Sequence, residues 1–165
     1  MKVLVAYMSS TGNTKKVAEA IYGEIPGDKE IKRIEDVQGI GSYDLSFLGF
    51  PTHQFGPDKK TIEFLEKNCT DGKRVALFVT HCAPEDTPEV TEWMAKFKKA
   101  AAGANLVGFF DCQGELAKSI EMVMKIAPKK EIRFFAKNHN SKGQPDEARL
   151  MKARAFAREV INRTG

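Results

Sequence analysis

The sequence predicts an α/β protein built on a parallel sheet with helices on both faces. Three observations carry this. Apolar runs of strand length alternate with helical patterns along the chain. Those runs are nearly continuous rather than alternating, as expected of strands covered on both sides. At 165 residues the chain has the length of about one domain, with no internal repeat and no low-complexity linker, so one domain over 1–165 is expected.

Four strong strand candidates are KVLVAYM (2–8), LSFLGF (45–50), RVALFVT (74–80) and LVGFFDC (106–112), and KEIKRI (29–34) reads as a weaker edge strand. Between them lie helical patterns. Residues 13–25 place Val17, Ala18, Ile21 and Tyr22 on one side, and residues 58–68 carry Ile62, Phe64 and Leu65. Residues 87–103 start on Thr87 and Pro88, carry Glu89 and Glu92 early and lysines late, and stop at Gly103. Residues 146–163 repeat Leu150, Ala153, Phe156, Ala157, Val160 and Ile161 as one stripe. Strand–helix alternation of this kind implies right-handed crossovers.

Composition excludes several classes. The chain is 42% hydrophobic and 29% charged, with no apolar run near the roughly 20 residues of a membrane span. It starts directly in a strand-like run without the charged and apolar regions of a signal peptide, so a cytoplasmic protein is expected. The three cysteines, Cys69, Cys82 and Cys112, have neither disulfide-scaffold nor zinc spacing. Net charge is +4, and residues 111–165 hold 12 basic against 7 acidic side chains. That excess is too dilute and too poor in interleaved aromatics for nucleic acid, and it favours an acidic partner.

Ligands of such sheets bind at the carboxyl ends of the strands, which points to the loops after residues 8, 50, 80 and 112. The first is SSTGNT: Ser9, Ser10, Thr11, Gly12, Asn13 and Thr14. Four hydroxyls, a glycine for a tight turn and the amides of a helix start make a cradle for phosphate. It is not GxxxxGK[ST], which argues against a nucleotide triphosphatase, nor GxGxxG, which argues against a dinucleotide fold. The acidic residues a response-regulator receiver needs after its first strand are absent from YMSS. Neutral donors suit a terminal phosphomonoester.

The pattern Ser/Thr-x-Thr-Gly-Asn-Thr, placed between a first strand and a first helix, resembles the FMN phosphate loop of flavodoxins, and the order of elements is similar along most of the chain. The resemblance implies a flavodoxin-like doubly wound five-stranded parallel sheet of order 2-1-3-4-5, FMN as cofactor, and a flavin ring between the loops after strands three and four. Here those loops are PTHQFGP (51–57) and THCAPED (80–86). On that basis His53, Phe55 and His81 are candidates for flat faces. Thr52, Gln54 and Thr80 are candidates for hydrogen bonds, and Gly56 for close backbone approach, with Pro51, Cys82 and Ala83 completing the lining. Neither loop carries the tryptophan or tyrosine that electron-carrying flavodoxins commonly stack on the ring, and the one tryptophan, Trp93, is expected in the core. Glu85 and Asp86 are candidates for a negative environment near the ring. Cys82 and Cys112 are expected as small buried residues rather than a redox pair.

Residues 112–145 exceed what a short-chain flavodoxin needs. They predict one helix over 115–127, with Leu116, Ile120, Val123 and Ala127 in one stripe and Met122 and Ile126 in a second. Packing on the domain itself is the first expectation for it, a homodimer contact or a lid the others. A related insertion is found in flavodoxin-like protoporphyrinogen oxidases. The expected function is a flavodoxin-type electron carrier serving a redox partner protein. The alternatives are an FMN-dependent oxidoreductase acting on quinone or tetrapyrrole, and a flavin-free binding module. No metal site and no acid–base catalytic set is expected.

Overall fold

A computed structural model describes residues 1–165. Its five strands are β1 (Val3–Tyr7), β2 (Lys29–Arg33), β3 (Leu45–Pro51), β4 (Arg74–His81) and β5 (Asn105–Gln113), all parallel, in the order β2-β1-β3-β4-β5. The order turns back at β1, whose Val3 pairs with Lys29 on one side and Leu45 on the other. The reversal opens a crevice at the carboxyl ends of the central strands.

Each face of the sheet carries its own core, because successive side chains of a strand point to opposite faces. Val3, Val5, Phe47 and Phe78 meet α1 (Asn13–Glu24) and α6 (Glu147–Thr164), from which come Val17, Ile21, Phe156 and Val160. Leu4, Leu48, Phe50 and Leu77 meet α2 (Lys59–Asn68) and α3 (Pro88–Ala100), from which come Leu65, Val90, Met94 and Phe97. Phe156 stands edge-on to Phe47 at 6.0 Å and stacks with Phe110 at 5.5 Å, joining the last helix to the sheet. The apolar stripe of residues 146–163 is therefore the seal over one face.

The helix starts follow the sequence signals. Asp58, Thr87 and Asp146 each accept a hydrogen bond from an amide of the first turn, at Thr61, Val90 and Arg149 respectively. The helix at 58–68 buries Leu65 together with two polar residues, Thr61 and Asn68.

The segment after β5 departs from expectation. It forms two helices, α4 (Lys118–Lys125) and α5 (Lys130–Asn138), where one was expected over 115–127. Residues 114–117 stay out of the helix, and the Leu116 amide donates to Ser141 Oγ. The expected stripe does not pack on the domain: Leu116 is buried, whereas Ile120 and Val123 are exposed and α4 buries no residue at all. No helix of the protein is long and apolar enough to cross a membrane.

Candidate functional site

The loop between β1 and α1 is held open by its own backbone. Gly12 takes a left-handed φ of 93° as the residue capping α1, a conformation an L side chain rarely adopts. The helix receives no side-chain cap and no acidic residue in its first turn. The amides of Ser10, Thr11, Asn13, Thr14 and Lys15 have no acceptor within the protein, and the first helical bond runs from Lys16 to Gly12. Ser9 Oγ accepts from the Gly12 amide at 3.1 Å and keeps its own hydrogen to donate. Ser10 and Thr11 are exposed.

Thr14 and Asn13 have structural ties that sequence reading did not anticipate. The Thr14 hydroxyl is buried and shares a 2.9 Å hydrogen bond with the Thr80 hydroxyl of β4. Asn13 Nδ2 donates to the Glu115 carbonyl at 2.8 Å. Gly114 makes this approach feasible, since a Cβ there would sit 2.8 Å from Asn13 Nδ2.

The loop after β3 is fastened to β4 at one end and makes a tight turn at the other. The Thr52 amide donates to the Thr80 carbonyl at 2.9 Å. His53 and Gly56 exchange backbone hydrogen bonds, and Gln54 and Phe55 between them take φ of 43° and 74°. A bulky residue such as Phe55 pays strain in that region. Its carbonyl accepts from Lys96 Nζ at 3.0 Å, and its ring, 65% exposed, lies 5.3 Å from Trp93. Trp93 is half-buried: it packs against the core beneath α2 and α3, as expected, and its ring also reaches this loop. His53, Gln54 and Phe55 are exposed, Pro51 and Thr52 partly so, and Gly56 is buried.

The loop after β4 is clamped. His81 is buried, with Nδ1 3.0 Å from the Ala83 carbonyl and Nε2 3.1 Å from Asp111 Oδ2. Both ring nitrogens are engaged inside the protein, and the side chain is fully buried, so the imidazole presents no open flat face. Gln113 Nε2 donates to the Cys82 carbonyl at 3.1 Å and to Asn140 Oδ1 at 2.8 Å. Glu85 Oε1 accepts from the Gln113 amide at 3.1 Å and from Arg149 Nε at 2.7 Å, with Lys152 Nζ 3.8 Å from its second oxygen. The charge of Glu85 is therefore matched by Arg149 and Lys152, and the free negative group expected there reduces to exposed Asp86. Burial works against the Arg149 cation, but Glu85 and Asp146 outweigh it and hold the guanidinium above its ordinary value.

The cysteines are all free. Burial pushes the Cys112 thiol up to about 12, with Glu85 and Asp111 adding to it, and the Cys69 thiol up to about 11. Burial also raises Cys82. Thiolates are the reactive form, so none of the three is activated.

The structure brings the 9–14, 51–56 and 80–83 segments to one end of the sheet through Thr14, Thr52 and Thr80. Trp93, Gln113, Glu115 and Arg149 were missed as parts of this site. Each lies far along the chain from the loop it meets, and no local pattern marks it.

The family model for the flavodoxin domain matches residues 4–158. The flavodoxin-like domain-containing protein BilS of Clostridioides difficile is 34% identical, with 98% of this chain and 97% of that one covered. Flavodoxin 2 of Bacillus cereus superposes with a TM-score of 0.62 at 22% identity over 99% of both chains. A flavoprotein of Lactobacillus acidophilus, solved in complex with FMN, gives 0.55 at 22% identity over 67% of this chain and 92% of that one. With the sheet order, the loop geometry and a family match over nearly its whole length, the chain belongs to the flavodoxin family.

Proposed function

We propose that the protein binds FMN and works as a flavodoxin-type electron carrier. The observation that carries this is the Ser9–Thr14 turn, in a chain of this family: five amides without a protein acceptor, beside the hydroxyls of Ser9, Ser10 and Thr11, at the start of α1. That donor set fits a phosphomonoester, which needs many neutral donors and gains from the helix dipole. Bound FMN would supply reversible electron uptake. The protein's own part is to bind and orient. Residues 9–14 hold the phosphate. Pro51, Thr52, His53, Gln54, Phe55 and Gly56 border the ring on one side, with Trp93 behind Phe55. Thr80, Cys82 and Ala83 offer backbone groups on the other, while His81 stiffens that loop from within.

Family membership favours the carrier over an FMN-dependent enzyme and over a flavin-free module. The electrons go to a redox partner protein. Three free cysteines support a reducing, cytoplasmic setting. The test is a visible spectrum of the FMN-reconstituted protein during stepwise anaerobic reduction. Two separated one-electron steps support the carrier. A single two-electron step points to an enzyme of quinones or tetrapyrroles, and failure to bind FMN sinks the reading.

A further inference from the structure

Five of the eight large apolar side chains that stand exposed on this protein lie in one stretch: Ile120, Met122, Val123, Ile126 and Phe134. Ile126 is 82% exposed and Phe134 70%. They lie on α4, at its C-terminal cap (Ile126) and on α5, and α4 buries nothing. Exposed apolar side chains gathered in this way mark a surface that meets something.

The same stretch holds all the net charge. Residues 118–138 carry six basic and two acidic side chains, and the remaining chain carries 20 of each. Glu121 is paired with Lys125, whereas Lys118, Lys129, Lys130 and Lys137 are exposed and in no ion pair. The stretch therefore combines exposed apolar side chains with exposed lysines that are in no ion pair.

Its position is fixed by two feet. At one, Asn13 holds the Glu115 carbonyl. At the other, Gln113 joins the Cys82 carbonyl to Asn140. The chain that enters α4 and the chain that leaves α5 therefore meet the loops at residues 9–14 and 80–83.

We propose that α4 and α5 form the docking face for an acidic redox protein, whose apolar patch meets Ile126, Met122 and Phe134 while its carboxylates meet these lysines. The feet then seat that partner beside the cofactor loops, where an electron leaves. The proposal rests on the FMN reading for what passes across the contact, but not for the contact itself. Interface centres favour Phe and Met, and charged rims steer encounter. A second copy of the chain fits poorly, because a two-fold contact would set two faces of like charge together. A lipid surface accounts for charge and apolarity but not for the feet at the cofactor loops.

The probe is zinc-substituted rubredoxin, a small acidic protein, titrated into the isotopically labelled full chain and followed by amide shifts. Expected is binding whose shifts fall on 113–141 and the 80–83 loop, weakened about tenfold or more by 0.5 M salt and by Lys129→Glu with Lys130→Glu. Ile126→Ser with Phe134→Ser should weaken it at any salt, with circular dichroism unchanged, since both side chains are exposed. Absence of binding, shifts centred on Phe55 and Trp93, or variants that bind like the parent would overturn the proposal. So would phosphatidylglycerol vesicles binding through this face in preference to rubredoxin, or self-association lost in Ile126→Ser. An FMN titration of the same samples separates the two readings: rubredoxin docking without FMN binding would sink the cofactor and leave the surface.

Discussion

The hydroxyls of Thr14 and Thr80 meet at 2.9 Å, both buried, across 66 residues of sequence. This bond fastens the start of α1 to the end of β4, and so the first loop to the loop after β4. Thr14→Val keeps the shape and leaves the Thr80 hydroxyl without its partner. It should cost about 1–3 kcal/mol in urea unfolding and raise the FMN dissociation constant about tenfold, since a tenfold change is only ~1.4 kcal/mol. Thr80→Val combined with Thr14→Val should cost less than the two singles added. Lost stability with unchanged FMN affinity would assign Thr14 a purely structural role.

Trp93 is the only tryptophan, and its ring lies 5.3 Å from Phe55. Its fluorescence therefore reports on the loop after β3. FMN should quench it in a saturable titration. Phe55→Ala should shift the emission to longer wavelength and weaken FMN binding, while changing stability by less than about 1 kcal/mol because Phe55 is exposed. Emission indifferent to FMN would place the cofactor away from this loop.

Glu85 and Arg149 join the loop after β4 to α6 at 2.7 Å, both part-buried. Arg149→Gln should destabilise the protein by about 1–3 kcal/mol, because a partly buried carboxylate loses its cation. It should also lower the midpoint potential of bound FMN, since an unmatched negative charge opposes taking up electrons. Spectroelectrochemistry on the loaded variant reads this directly, and Glu85→Gln in the same background should bring the potential back. A potential unmoved by Arg149→Gln would place this ion pair outside the electrostatic reach of the cofactor.

Glu30 gives a pH dependence of known sign. Hydrogen bonds from Lys32, then Lys2 and Tyr43, lower its carboxyl from 4.5 to about 2. A depressed carboxyl contributes stability that is fully present above its unfolded value and lost as pH falls through the folded one. The melting temperature of the parent should therefore exceed that of Glu30→Gln above pH 4.5, and the gap should close toward pH 2. A gap that persists at pH 2 would show that the loss comes from packing and not from charge.

Much of the site was legible because its parts are local. SSTGNT announces a tight turn into α1 through its own residues, and Gly12 takes the left-handed conformation that such a turn asks for. His81 was misjudged because its chemistry is decided by Asp111 on the neighbouring strand, 30 residues away. Glu85 looked like a loop charge until Arg149 arrived from the last helix. The helix α5 did carry a signal, Ile132, Phe135 and Ala136 at helical spacing, but it lies beyond Pro128, before which the expected helix ends.

The sequence by itself determined the five strands, the helices that cover them and the open turn at the start of α1. Strand runs, caps and turns depend on neighbours a few residues apart, so periodicity and residue type suffice to place them. Only the tertiary structure decided that Trp93 backs Phe55, that Arg149 neutralises Glu85, that Asn13 and Gln113 hold the ends of the segment after β5, and that Ile120, Met122, Val123 and Phe134 of that segment face outward. Each of these depends on which distant segments the parallel crossovers bring side by side, and on whether packed neighbours are left to cover an apolar face. Beside α4 stands α5, which leaves Ile120, Met122 and Val123 uncovered, so a pattern that reads as core in the sequence stands in the folded protein as surface.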